Sequence, residues 1–328
     1  MSLEPVQVSQ QESVPLGSLI EEINDHLRYL ARDLYSEYEP TRGTHPDFWV
    51  RLENWLNNLK DEGQKQVLFR LIPHLFFIGP REFESLYRSA FNHQIAMWLV
   101  DQAGVKLDNA KAQTRIAETL EKTWFCPITD SMRINGFYHL NGIEGREYRP
   151  DWRSLSRFGD RRKISEYIEK DCIERIVLLE DFVGYGGQIE KAVIFAAELV
   201  PKLPILVVPL VICPNADKLI GTLEGKYPHL KFSPSLRLPE SEFVVEKAQT
   251  NEKPIFSEIR QIALSIADSM KEGLSEYELK QAEKYIPFGW HKTGALVVLY
   301  SNCPNNTLPI IFHGCKKWEP LFPRTSRS

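Results

Sequence analysis

The sequence predicts an α/β protein in which a mostly parallel sheet is flanked by helices and preceded by a helical region. Three observations carry that expectation. Short apolar runs at 175–180 (RIVLLE), 204–212 (PILVVPLVI) and 295–301 (ALVVLYS) have the length of buried strands. Helical periodicity in QIEKAVIFAAELV (188–200) separates the first two, and strands alternating with helices build parallel sheets covered on both faces. Up to about residue 120 the apolar residues instead recur at helical spacing.

Taken in order, residues 1–16 are polar and aperiodic and are expected to form a mobile tail. Leu19, Ile23, Leu27 and Leu30 mark a first helix, Trp49, Leu52, Trp55, Leu56 and Leu59 a second, and Val67, Leu68, Leu71 and Leu75 a third. Asp47 caps the second, because a carboxylate there can accept from the first-turn amides. Pro80 opens a fourth helix through Phe83, Leu86, Tyr87, Phe91, Ile95 and Leu99, whose aromatic stripe reads as core. After Trp124 the texture changes: TWFCPITDSMRINGFYHLNGIEG, with Pro127 and Gly136, reads as strands and loops. The expected organisation is therefore a tail (1–16), a helical region (17–120) and an α/β domain (121–328). Within the last, Ile255 to Met270 is amphipathic, SEYELKQAEKYI is polar, and PNNTLPIIFHGCKKWEPLFPRTS should wrap as loops over a rim.

Composition excludes several classes. The net charge of −4 gives no global attraction to nucleic acid, although a local basic patch stays open. No apolar run approaches the roughly 18 residues of a membrane span, and the N-terminus lacks the basic and apolar regions of a secretory signal, so a cytoplasmic location without membrane contact is expected. The five cysteines are scattered and never form CxxC, which argues for free thiols. Cys303, His313 and Cys315 have no second close-spaced pair to complete a metal site.

The chemistry concentrates in RIVLLEDFVGYGGQIEKAV (175–193), where a buried strand ends in adjacent carboxylates and leads through a glycine-rich loop into a helix. Ligands of open α/β sheets gather at the carboxyl ends of strands. Gly184, Gly186 and Gly187 let backbone amides converge there, and the positive end of the helix starting near Gln188 faces the same spot. Glu180 and Asp181 would repel a phosphate in contact, so they are expected to accept from sugar hydroxyls or to help hold a divalent cation. On this reading the acids bind ligand rather than hold the core. Solvated acids at a strand end followed by an ordinary turn is the alternative. A dinucleotide fingerprint is disfavoured, because it needs its glycines before the acid. A separate segment, REYRPDWRSLSRFGDRRK, crowds Arg146, Arg149, Arg153, Arg157, Arg161, Arg162 and Lys163 around Trp152 and Phe158. It is either a solvated loop or a second anion site in which Arg153 and Arg157 fork onto phosphate oxygens.

The strand, acid pair and glycine loop resemble the phosphoribosyl pyrophosphate signature of type I phosphoribosyltransferases. More closely, EDFVGYGGQ with LIPHLFFI, CPITDSMRI, DWRSLSRFG, PNNTLPIIF and WEPLFPR resembles the divergent phosphoribosyltransferase-like proteins of bacterial conflict systems, encoded in antiviral defence loci. The resemblance implies a phosphoribosyltransferase-like sheet. It gives Glu180 and Asp181 the ribose hydroxyls, Gly184, Tyr185, Gly186, Gly187 and Gln188 the 5′-phosphate, and magnesium a place on the ligand with Asp181 nearby. Two departures stand out. Tyr185 and Gln188 replace the usual Thr or Ser, so that Tyr185 could donate through its phenol, close the pocket or select another ligand. There is no glycine-bearing pyrophosphate loop, and CPITDS (126–131) is the best placed substitute. Two function classes follow: an enzyme that makes or breaks an N-glycosidic bond on phosphoribosyl pyrophosphate or a nucleotide, as a defence effector, or an inactive module that senses a nucleotide or docks a partner protein or nucleic acid.

Overall fold

The computed structural model describes residues 16–143, 150 and 161–325. The mobile-tail expectation falls almost wholly outside them. The chain begins with α1 (Leu16–Asp33), α2 (Phe48–Asn57) and α3 (Glu62–Leu71). Asp47 caps α2 as expected, its Oδ1 accepting from the Trp49 and Val50 amides at 2.9 and 3.0 Å. Leu52, Trp55 and Leu59 are buried as expected, but at the start of α2 Phe48 is interior and Trp49 is 44% exposed. The single helix expected from Pro80 to Leu99 is α4 (Pro80–Ser89), a π-helical turn (Ala90–Ile95) and α5 (Ala96–Ala103), followed by α6 (Ala112–Glu121). The inserted turn shifts the buried face, and both Ala90 and Ile95 end fully inside.

The central sheet is parallel throughout, in the order β2 (Thr123–Pro127), β3 (Arg175–Val183), β4 (Ile205–Ile212) and β5 (Leu230–Phe232), with the short β6 (Leu236–Arg237) also on β4. Alternation distributes its side chains to two cores. Val177, Leu179, Leu206 and Val208 pack with α4, α5 and α7 (Ile134–Leu140). Ile176, Leu178, Ile205 and Val207 pack against α8 (Arg161–Lys170), α9 (Gly187–Leu199) and α10 (Pro214–Lys226). The fold is thus α/β, a parallel sheet covered by helices on both faces. INGFYHL is the helix α7 rather than the expected strand or loop, because Phe137 and Tyr138 find an interior to fill.

Pro209 lies inside a central strand, where a missing N–H usually breaks the ladder. Its carbonyl accepts from the Ser235 amide at 2.9 Å, so its proton-less nitrogen faces the gap between β5 and β6 and leaves the β3 ladder whole.

The third apolar run does not join this sheet. β7 (Val297–Leu299) pairs with β1 (Phe76–Ile78), a parallel couple formed with the helical region, because β1 supplies the edge that β7 needs. A third core unites α1 to α3 with α11 (Pro254–Ile266), α12 (Glu276–Ala282), α13 (Pro309–Phe312) and the chain from Leu308 to Phe322. Trp55, fully buried, donates its indole N–H to the Ile310 carbonyl at 2.6 Å, and the Tyr38 hydroxyl donates to the Pro323 carbonyl at 2.8 Å. Among the described residues no helix is long and apolar enough to cross a membrane.

Trp55→Ala empties the centre of that third core and is expected to cost about 3–5 kcal/mol. Urea unfolding would read it as a lower midpoint with an unchanged slope.

Candidate functional site

β2 stops short of β3. Its last pairing sets Pro127 opposite Leu179, and the Ile128 amide donates to the Leu179 carbonyl at 2.8 Å before the chain turns away. β3 continues through Glu180 and Asp181 to Val183, so the acids lie within the strand rather than at its end, beside the edge that β2 vacates. Both are buried, at 5% and 4% exposure.

The turn after β2 clasps both carboxylates. Thr129 gives its amide to Glu180 Oε2 at 2.8 Å and its hydroxyl to Oε1 at 2.6 Å. The Ser131 hydroxyl reaches Asp181 Oδ1 at 2.9 Å, and the two hydroxyl oxygens are themselves 2.6 Å apart. The Phe182 amide adds a bond to Asp181 Oδ1 at 2.8 Å. Buried carboxylates are tolerated where such donors replace water. The acids therefore also hold the 128–131 turn, which corrects the expectation that they are free of structural duty. Nearby, burial raises the Tyr87 and Tyr300 phenols, and the negative charge of Asp181 adds to both.

The glycine loop follows at once. Gly184 is pressed against Asn306 so closely that an added Cβ would lie 2.1 Å from the side-chain amide carbon. Gly186, at φ 105°, is in the left-handed region that glycine alone enters cheaply, and α9 begins one residue later. Asn306 is held in turn by bonds from its Nδ2 to the Trp290 carbonyl at 3.2 Å and to Thr293 Oγ1 at 3.0 Å.

Two clefts meet at Glu180, Phe182, Gln188, Asn305 and Asn306. The first, about 320 Å³, continues past Thr129, Ser131, Asp181, Asn302 and Arg324. The second, about 620 Å³, continues along Gly184 to Lys191 to Gln281, Trp290 and His291. Tyr185 does not turn its ring into the loop. It stacks on His291, with centroids 3.8 Å apart and planes 11° off parallel. His291 and Lys292 have φ of 54° and 56°, a left-handed pair without glycine that costs about 1–2 kcal/mol per residue. The turn is kept by bonds from the Trp290 amide to Asn305 O at 2.7 Å and from the Gly294 amide to Phe288 O at 2.7 Å.

The sequence-predicted loop residues Gly184, Tyr185, Gly186, Gly187 and Gln188 all line the second cleft, and Glu180 lines both. Arg153 and Arg157 lie outside the described residues. Their neighbours Arg161 and Arg162 face Glu198 at 3.8 Å and Glu166 at 3.3 Å. Nothing in the sequence assigns Asn302, Asn305, Asn306, Trp290, His291 and Arg324 to the site, although Asn305, Asn306 and Arg324 fall inside the blocks PNNTLPIIF and WEPLFPR. Arg324 Nη1 bonds to the Cys303 carbonyl at 2.8 Å, which ties the chain's last described segment to the first cleft. Cys303 lines that cleft too, but burial pushes its thiol up to about 12, so it stays protonated and is a poor nucleophile. His313 spends its ring nitrogens on the Met270 carbonyl at 2.9 Å and the Tyr285 hydroxyl at 3.1 Å.

A family model described as PRTase-CE matches residues 52–324. No curated protein and no solved structure matches the chain.

Gly184→Ala is expected to push Asn306 off the loop and lower the melting temperature by several degrees, at a cost of about 1–3 kcal/mol; an unchanged melting curve would mean that Asn306 moves freely. Brief alkylation of the native protein at pH 8 should label exposed Cys172 and spare buried Cys126, Cys213 and Cys303, read by peptide mass spectrometry.

Proposed function

Because the chain belongs to the PRTase-CE family, a phosphoribosyltransferase-like family, we propose that it binds a phosphoribosyl compound or nucleotide in the joined clefts and makes or breaks an N-glycosidic bond there. The observation that supports this most is convergence: a buried acid pair, a hydroxyl-bearing turn and a glycine loop opening α9 meet on one groove.

In this reading the amides from Gly184 to Gln188 face the 5′-phosphate, aided by the positive end of α9. Glu180 and Asp181 accept from the ribose hydroxyls and lie where positive charge develops at the anomeric carbon. Thr129 and Ser131, beside the acids, and Arg324, which also lines the first cleft, face the leaving group. In the synthetic direction a base nitrogen donates its lone pair to the anomeric carbon while the bond to pyrophosphate breaks, the electron pair leaving with pyrophosphate. In cleavage, pyrophosphate or water attacks that carbon, and the base departs with the pair and takes up a proton. The protein mainly orients the partners and excludes water.

Among the described residues no group of three or more His, Cys, Asp or Glu could cage a metal. The carboxylates present, Glu180 and Asp181, would fit a magnesium ion carried chiefly on ligand oxygens with Asp181 beside it, since magnesium is commonly held by substrate phosphates and one or two carboxylates. When bound, the ion would neutralise charge on the departing pyrophosphate. The setting proposed with this function is bacterial antiviral defence, on the sequence resemblance alone, with a partner protein or nucleic acid as a further ligand.

A second reading, a nucleotide-sensing module without catalysis, is favoured by one observation: Tyr185 stacks on His291 and leaves the loop without the usual hydroxyl donor.

Titration calorimetry with phosphoribosyl pyrophosphate and magnesium separates these readings from a protein with no such site. Binding is expected, and Asp181→Asn or Glu180→Gln should weaken it about ten- to a hundred-fold, the worth of a hydrogen bond to a charged group. Each variant should also melt lower, because the 128–131 turn loses its anchor. Binding with release of pyrophosphate on addition of a base would establish the enzyme, and binding without turnover the sensor.

A further inference from the structure

A phosphoribosyl group on this site, as proposed above, sets its ribose at the acids and its 5′-phosphate on the glycine loop, and it leaves the rest of the larger second cleft, along Gln281, Trp290 and His291, unclaimed. That cleft is walled by the rings of Tyr185, Trp290 and His291, with Gln281 and Lys191 also on its lining. His291 is thrust against Tyr185 from a left-handed turn whose geometry the neighbouring backbone bonds enforce. An unfavourable backbone kept in this way marks a position where the side chain's placement matters.

The loop itself points the same way. A terminal phosphate presents three free oxygens and close to two charges, and asks for many donors. A bridging phosphate presents two free oxygens and one charge. With its ring stacked on His291, Tyr185 is turned along the second cleft rather than folded over the loop, which leaves Gln188 as the side-chain donor beside the loop amides.

We infer that the ligand is a dinucleotide, two nucleosides joined through a pyrophosphate: one ribose meets Glu180 and Asp181, the adjoining phosphate lies on Gly184 to Gln188, and the distal nucleoside fills the second cleft against the Tyr185–His291 pair. This rests on the reading of the first cleft given above. The stacked rings, 3.8 Å apart, admit nothing between them, so the distal base packs against the exposed part of Tyr185 and the Trp290 ring set edge-on to His291, while Lys191 stands on the same cleft as a cation for the bridge.

The test compares ribose 5-phosphate with ADP-ribose, which is the same compound extended through its phosphate by AMP. Calorimetry on the full chain should show ADP-ribose binding about ten- to a hundred-fold tighter, the increment of one base stacked on aromatic side chains. His291→Gly removes the imidazole and suits the left-handed backbone, so the fold should hold, as a melting curve checks. It should reduce the margin to about three-fold or less. Ribose 5-phosphate bound as well as ADP-ribose would overturn the dinucleotide and leave the phosphoribosyl site standing. A margin untouched by His291→Gly in the folded protein would overturn the placement in the second cleft, and no binding of either compound would overturn both the inference and the site beneath it.

Discussion

Two adjacent carboxylates buried in a central parallel strand need donors, and the structure around β3 answers that need. Leaving either acid without partners would cost about as much as a sizeable part of a domain's net stability. The donors come from the turn after β2, which can reach them only because β2 ends one residue pair before Glu180. Because β2 stops there, a hydroxyl-bearing turn rather than a paired strand lies beside the carboxylates and lines the first cleft.

The other wall of the groove comes from far along the chain. Residues 302–306 and Arg324 reach the acids and the glycine loop because the C-terminal segment shares a core with α1 to α3. Tyr38 illustrates the coupling. Its hydroxyl donates to the Pro323 carbonyl and accepts from the Cys303 amide at 3.1 Å, so a residue of the helical region fixes both strands of the cleft wall. Arg133, just past the acid-clasping turn, pairs with Glu39 at 2.6 Å and with the Tyr300 hydroxyl at 3.1 Å, joining the same parts from the other side. The helical region thus supports the site without lining either cleft.

The Tyr185–His291 contact joins two turns that are each unfavourable alone. Gly186 lets the loop swing Tyr185 outward, and the left-handed pair at 291–292 brings an imidazole to meet it. Stacking of this kind returns only part of the backbone cost. The remainder is supported by the rigid turn around Asn305 and Asn306, which also presses on Gly184.

Much of this was legible in one dimension, where local rules govern. The runs RIVLLE and PILVVPLVI are strands because each is apolar over a strand's length, and α9 is a helix because its periodicity buries one face. The acid pair and glycine loop could be read as a candidate site because adjacency in sequence made them adjacent in space. Elsewhere the local signal did not decide. ALVVLYS reads as a strand, but its partner depends on which edge is vacant, and that edge belongs to β1. INGFYHL carries no strong helical signal and becomes α7 once Phe137 has a core to enter. His291, Asn306 and Arg324 reach the site across more than a hundred residues of chain, by packing that no spacing rule encodes. The sequence alone determined the strands RIVLLE and PILVVPLVI, the helix between them and the carboxylate–glycine pairing. Only the tertiary structure decided what faces them, because those contacts follow from burying remote apolar surface together.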